Sequence, residues 1–79
     1  MKFEVIVQPK KEVLDPEARA IQKSLTGFGF ESLKQVEISK RYVLDFAGSD
    51  QEEGFRQAKK MAEDHLANPV AERFAIKSL

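Results

Sequence analysis

A chain of 79 residues supports one small domain, because at this length folding buries only about 60–65% of the unfolded surface. Thirteen Lys and Arg balance thirteen Asp and Glu, so the chain lacks the basic surplus that a nucleic-acid backbone demands. It has no Cys, which excludes disulfides, thiolate metal sites and a cysteine nucleophile.

Hydrophobic residues make up 42% of the chain and charged ones 33%, which is enough apolar material for a packed core over residues 1–79. The expected stability is on the order of 4–12 kcal/mol. The opening "MKFEVIVQPKK" is too briefly apolar for a signal segment or a membrane span, so a soluble cytoplasmic protein is expected.

Phe3, Val5 and Val7 alternate with Glu4, Ile6 and Gln8, the period of a strand with one strongly apolar face, and Pro9 closes it. A helix then starts at "DPEARA". Asp15 can cap the free N–H groups of Glu17 or Ala18, and Pro16 suits the first helical position. Ala18, Ile21 and Leu25 form its apolar stripe, Gly27 is expected as a left-handed end, and Phe28 is expected to fold back over the stripe.

Val36 and Ile38, then Tyr42, Leu44 and Phe46, form two alternating runs. They read as two strands turning near Ser39, Lys40 and Arg41, or as one long strand kinked there; the hairpin is the preferred reading. "AGSDQEEG" supplies a turn and a helix entry with Ser49 or Asp50 as cap, and Phe55, Ala58, Met61, Ala62, His65 and Leu66 recur at helical spacing. Asn68 and Pro69 stop that helix, Asn68 as a left-handed cap, and Val70, Phe74 and Ile76 make a last strand.

The order β-α-β-β-α-β predicts an α+β, two-layer ferredoxin-like sandwich, an antiparallel sheet with two helices on one face. Ile6, Val43 and Ala75 would then lie on the bare face, and a homodimer or a larger partner is expected to cover it.

Little in the chain points to chemistry. His65 is the only histidine, without a second ligand or an acidic neighbour on its helical face, so a packing or helix-end role is expected. Glu52 with Glu53 and Glu63 with Asp64 are adjacent in sequence and diverge by about 100° on a helix, unlike a paired-carboxylate site. "GFGF" lacks the remainder of a phosphate-binding glycine loop, and the first loop offers Lys10 and Lys11 but no Arg clamp for an acyl phosphate. The aromatic residues Phe3, Tyr42 and Phe46 share their parity with Val5, Val7 and Leu44, which marks core and not an RNA-stacking platform.

Taken together, "VLDPEARAIQKSL", "VEISKRYVLDF" and "LANPVAERFAI" resemble the PurS family, small subunits of phosphoribosylformylglycinamidine synthase, from Phe3 to about Ile76. The resemblance implies a non-catalytic subunit of an ATP-dependent, glutamine-using ligase complex in de novo purine biosynthesis. Such a subunit forms a homodimer that bridges a glutaminase and a large synthetase subunit and supports ammonia transfer. It implies no catalytic residue, metal or cofactor on this chain, ATP and Mg²⁺ belonging to the synthetase, and neither nucleic acid nor membrane as partner. Lys40, which matches the family motif, and Arg41 beside it are the candidate partner contacts, expected at the hairpin tip.

The chain departs from the family pattern at Ala18, Glu37 and Ser39, where Gly, Arg and Gly are usual. Ser39 would carry a strain of roughly 1–2 kcal/mol if the turn needed positive φ. The competing function on the same topology is a regulatory domain that senses a small metabolite at its dimer interface.

Overall fold

A computed structural model describes all residues, 1–79. Its core begins in β1 (Lys2–Pro9), where Phe3, Val5 and Val7 are fully buried along one face. Each such side chain contributes about 1.5–3 kcal/mol when removed from water. β1 is the centre of a three-stranded antiparallel sheet in the order β2-β1-β3, between β2 (Lys40–Asp45) and β3 (Glu72–Ser78). The register sets Val5 between Tyr42 and Ile76, and Phe3 and Val7 opposite Leu44 and Phe74 respectively. Most of the apolar side chains of the sheet therefore share one face, with Ile6 and Val43 on the other.

Helix α2 (Gln51–Met61) covers that face with Gly54 and Ala58, both buried. A β-carbon on Gly54 would lie 2.6 Å from Met1 Cε and 2.8 Å from Phe3 Cε2, so the absence of a side chain is what lets helix and sheet approach. Phe3 meets Phe46 and Phe55 edge-to-face, with ring centres 5.9 and 6.4 Å apart. Of the two expected caps of α2, Ser49 and Asp50, it is Asp50 that accepts from the Glu53 N–H, at 3.1 Å.

α2 runs directly into one π-helical turn (Ala62–Leu66), closed by the Ala67 N–H donating to Ala62 O. Asn68 ends the element by a different route from the one expected, because no non-glycine residue has positive φ. Its side chain accepts from the Val70 N–H, and its own N–H donates to the Glu72 carboxylate at 2.8 Å. Val70 belongs to this turn, fully outside the strand that its alternation with Phe74 and Ile76 suggested; β3 starts two residues later.

Helix α1 (Pro16–Gly27) starts as its sequence dictates, with Asp15 Oδ1 accepting from the Glu17 and Ala18 N–H groups at 3.1 and 3.2 Å. Its end differs from expectation. Gly27 is still helical, Phe28 closes the helix by donating to Leu25 and Ser24 carbonyls, and the left-handed residue is Gly29, at φ 103°. Phe28 consequently points into solvent and does not return over the stripe.

α1 makes hardly any contact with the sheet and only Ala18 in it is buried. Instead it forms an arm with the segment 33–39 that leads back to β2, tied by Gln22 Nε2 donating to Lys34 O at 2.8 Å. Within 33–39, Leu33, Val36 and Ile38 are half-buried and the residues between them are exposed, so the strand-like alternation is present. The ladder is not: no backbone hydrogen bond involves residues 35–39 outside β2's own pairing. The predicted turn at Ser39, Lys40 and Arg41 is absent, since Lys40 and Arg41 are paired with Val7 and Ile6 of β1. A single line of chain leading from 33 into β2 replaces the hairpin.

The fold is α+β of the ferredoxin-like type, elongated by the arm. The Cα radius of gyration is 16.2 Å, where about 12 Å is usual for this length. The accessible surface is 6134 Å² for 9.0 kDa. A compact monomer of that mass exposes about 4,900 Å², leaving an excess of about 1,200 Å².

Candidate docking surface

The side chains that could carry chemistry are dispersed. His65 is exposed on the π turn, Asp64 beside it pairs with Lys60 at 3.0 Å, and no group of three His, Asp or Glu side chains is placed to hold a metal ion. The acidic pair at the start of α2 separates as helical geometry requires. Glu53 accepts from Arg56 Nε at 3.0 Å and from Gln57 at 3.0 Å, while Glu52 makes no such bond. The Arg56 hydrogen bond, with help from Gln57, holds the Glu53 carboxyl below its ordinary pKa, and the same contact raises that of Arg56. Arg56 is exposed and Glu53 partly exposed, so this is a helix-surface ion pair and not a reactive dyad.

The two candidate contact residues lie at the root of the arm. Lys40 opens β2 opposite Val7 and is exposed, and Arg41 follows it on the opposite face of the sheet, ion-paired with Glu4. They are strand residues and not a hairpin tip, because the chain does not turn there. Ser39 has negative φ, so glycine is not needed at that position and the departure from the family pattern carries no backbone strain.

Near them a cavity of about 400 Å³ opens between the end of β1, the start of α1 and the segment 35–39. Its charged lining is already committed in part: Lys10 Nζ donates to Pro69 O at 2.8 Å and Asp15 caps α1. The bare face of the sheet holds Ile6, Val43 and Ala75 as expected, but among Glu4, Arg41, Arg73 and Lys77.

The larger uncovered apolar area is on the arm. Phe28 is 82% exposed, Leu14 69% and Phe30 61%, and Ile21 and Leu25 remain over a third exposed. Sequence reasoning assigned the α1 stripe to the chain's own core and so missed these residues as a surface. The available signal was local: too many large apolar residues crowd positions 13–33 for one 12-residue helix to bury.

A small α+β domain that leaves a large apolar surface open has the build of a subunit. A profile of PurS, phosphoribosylformylglycinamidine (FGAM) synthase, matches residues 2–79. The chain belongs to the PurS family.

The phosphoribosylformylglycinamidine synthase subunit PurS of Methanocaldococcus jannaschii is 37% identical over 76 residues, spanning 96% of this chain and 92% of the relative. The crystal structure of M. jannaschii PurS, one of the subunits of formylglycinamide ribonucleotide amidotransferase, superposes with a TM-score of 0.85 at 36% identity, over 96% of this chain and 92% of that one. A chain in the structure of PurLQS from Thermotoga maritima gives a TM-score of 0.86 at 28% identity, over 99% and 95% of the two chains. No helix is long and apolar enough to cross a membrane.

Proposed function

We propose that the chain serves FGAM synthase as a homodimeric, non-catalytic subunit. In this reading it docks between a glutaminase and an ATP- and Mg²⁺-using synthetase subunit in the cytoplasm and supports the passage of ammonia from one to the other. The observation that carries the reading is the excess of exposed surface. Two chains leave about 2,400 Å² uncovered beyond what compact monomers expose, which is within the range of obligate homodimer interfaces.

The likeness to a chain in PurLQS supports partners of the PurL and PurQ kind. Lys40 and Arg41, at the junction of sheet and arm, are the proposed polar contacts at the rim of that assembly. ATP, Mg²⁺ and the reacting groups are assigned to the partners.

The test is co-purification of this chain with glutaminase and synthetase subunits from its own cell, combined with deletion of the chain. A three-part complex and loss of glutamine-dependent amidine formation on deletion are expected. Unchanged glutamine-dependent synthesis and no recovered complex would sink the reading.

A further inference from the structure

The chain is neutral as a whole, but its charge is divided between the two layers. Strand alternation and register put Lys2, Arg41, Arg73 and Lys77 on the bare face of the sheet, with Glu4 and Asp45 as its only carboxylates. The helical layer has the opposite balance: between Asp50 and Leu66 there are five carboxylates and three Lys or Arg. The bare face therefore holds a surplus of two positive charges, and its Arg41, Arg73 and Lys77 are all exposed.

The register also arranges these charges. Arg41, Ile6 and Ala75 form one row across the three strands, and Val43, Glu4 and Lys77 form the next. Ile6, Val43 and Ala75 thus adjoin one another as a small apolar centre. Arg41 flanks it on β2, and Arg73 and Lys77 flank it on β3, four residues or about 13 Å apart. Glu4 is half-buried and accepts from Arg41 Nε, which leaves both terminal nitrogens of that guanidinium without a partner in the chain. Lys77 lies opposite Glu4 in register yet pairs with no carboxylate, and neither does Arg73.

We propose that the bare face of the sheet docks an acidic surface of one partner subunit, whose carboxylates pair with Arg41, Arg73 and Lys77 around an apolar contact on Ile6, Val43 and Ala75. This rests on the docking role given above and assigns it a surface and a partner chemistry. A second copy is a poor occupant, because stacking two such faces sets one positive surplus against another. A nucleic acid needs a far larger surplus of Lys and Arg. The free end of the Arg41 guanidinium suits a planar carboxylate, to which its two terminal nitrogens donate together. Glu4 is a positioning residue, since it holds that guanidinium on the face by the one nitrogen that the carboxylate does not use.

The test measures binding of the purified chain to the glutaminase and to the synthetase subunit at low and high salt. Arg73→Glu and Lys77→Glu, at exposed edge-strand positions, should each weaken binding of one subunit by about tenfold or more at low salt. The difference should shrink as salt is added. Lys59→Glu, exposed on the helical layer, should change binding by less than about twofold. Unchanged urea midpoints separate lost docking from lost folding, and Arg73→Gln replaces any reversal whose midpoint moves. Reversal variants that bind as the parent does overturn the proposal and leave the docking role standing, whereas a parent chain that binds neither subunit overturns both.

Glu4→Leu enlarges the positive surplus, so association should not slow, and the loss should be read as dissociation faster by about threefold or more. Glu4→Gln, whose carbonyl still accepts from Arg41 Nε, should restore the slow rate. Unchanged dissociation in Glu4→Leu overturns the positioning role. Retention of a short DNA duplex at physiological salt, abolished by Arg73→Glu, assigns the face to phosphates and overturns the carboxylate partner.

Discussion

The sheet half and the arm spend similar residues on opposite ends. In the sheet half, Phe3, Val5 and Val7 lie against Gly54, Ala58 and Ala62 with no exposed surface to speak of, and aromatic rings lock Phe3 from two sides. In the arm, Leu14, Ile21, Leu25, Phe28 and Phe30 are as apolar and remain in water, with Ala18 the sole buried side chain of α1. One half is a small finished core and the other a surface awaiting cover. Substitutions should therefore act on stability in the first and on association in the second.

The largest effect is expected at Phe3. Phe3→Ala removes a fully buried ring and should cost about 3–5 kcal/mol in urea denaturation, a large share of the total. A loss under about 1 kcal/mol would show that the sheet half is not the core. Gly54→Ala comes next. The gain in helix propensity of up to about 1 kcal/mol is outweighed by a β-carbon 2.8 Å from the Phe3 ring, giving a net loss of about 1–2 kcal/mol by the same assay.

Asp15→Ala removes the cap of α1 and should cost about 1 kcal/mol, read as faster amide exchange in residues 16–27 while the sheet amides keep their rates. Equal acceleration in both halves would erase the contrast. Phe28→Ser should move the unfolding midpoint by no more than about 0.5 kcal/mol, because the ring makes no core contact, yet weaken recovery of the dimer or of partner subunits.

The smallest effect concerns pH. The folded-state pKa of Glu53 lies below its unfolded value, so its contribution is in place above the unfolded carboxylate range and is lost as pH falls through the folded value. In Glu53→Gln the slight acid sensitivity of α2 should disappear, seen by comparing denaturation midpoints at neutral and acid pH. The pair lies at the helix surface, so the difference should also fade with added salt.

Most local structure was legible because it is determined locally. Alternation in Phe3, Val5 and Val7 gave β1, Asp15 and Pro16 gave the start of α1, and the spacing of Ala58 and Ala62 gave α2. The errors fall where a long-range partner decides. Period two in Val36 and Ile38 reports that these residues want a sheet, but it is silent on whether the receiving edge belongs to the same chain.

The helix-end errors were of a different kind. Two glycines, Gly27 and Gly29, could each have taken the left-handed position, and hydrogen bonds from Phe28 decided for the second. The docking surface escaped notice for the same reason as the strand: an amphipathic stripe looks identical whether it covers its own core or another's. The candidate contacts Lys40 and Arg41 were read at a loop tip, and their place in β2 depended on the pairing with β1.

The π turn after α2 changes how this helix must be compared with others. Its closing bond spans five residues where an α-helical bond spans four, so the turn holds one extra residue and shifts the phase of everything that follows. Ala58 and Ala62 face the sheet four residues apart, whereas Ala67 reaches it five residues after Ala62. A residue-by-residue comparison with a relative whose helix is regular therefore needs a single gap placed within 62–66. Without it the Asn68 and Glu72 clamp would be matched to the wrong neighbours.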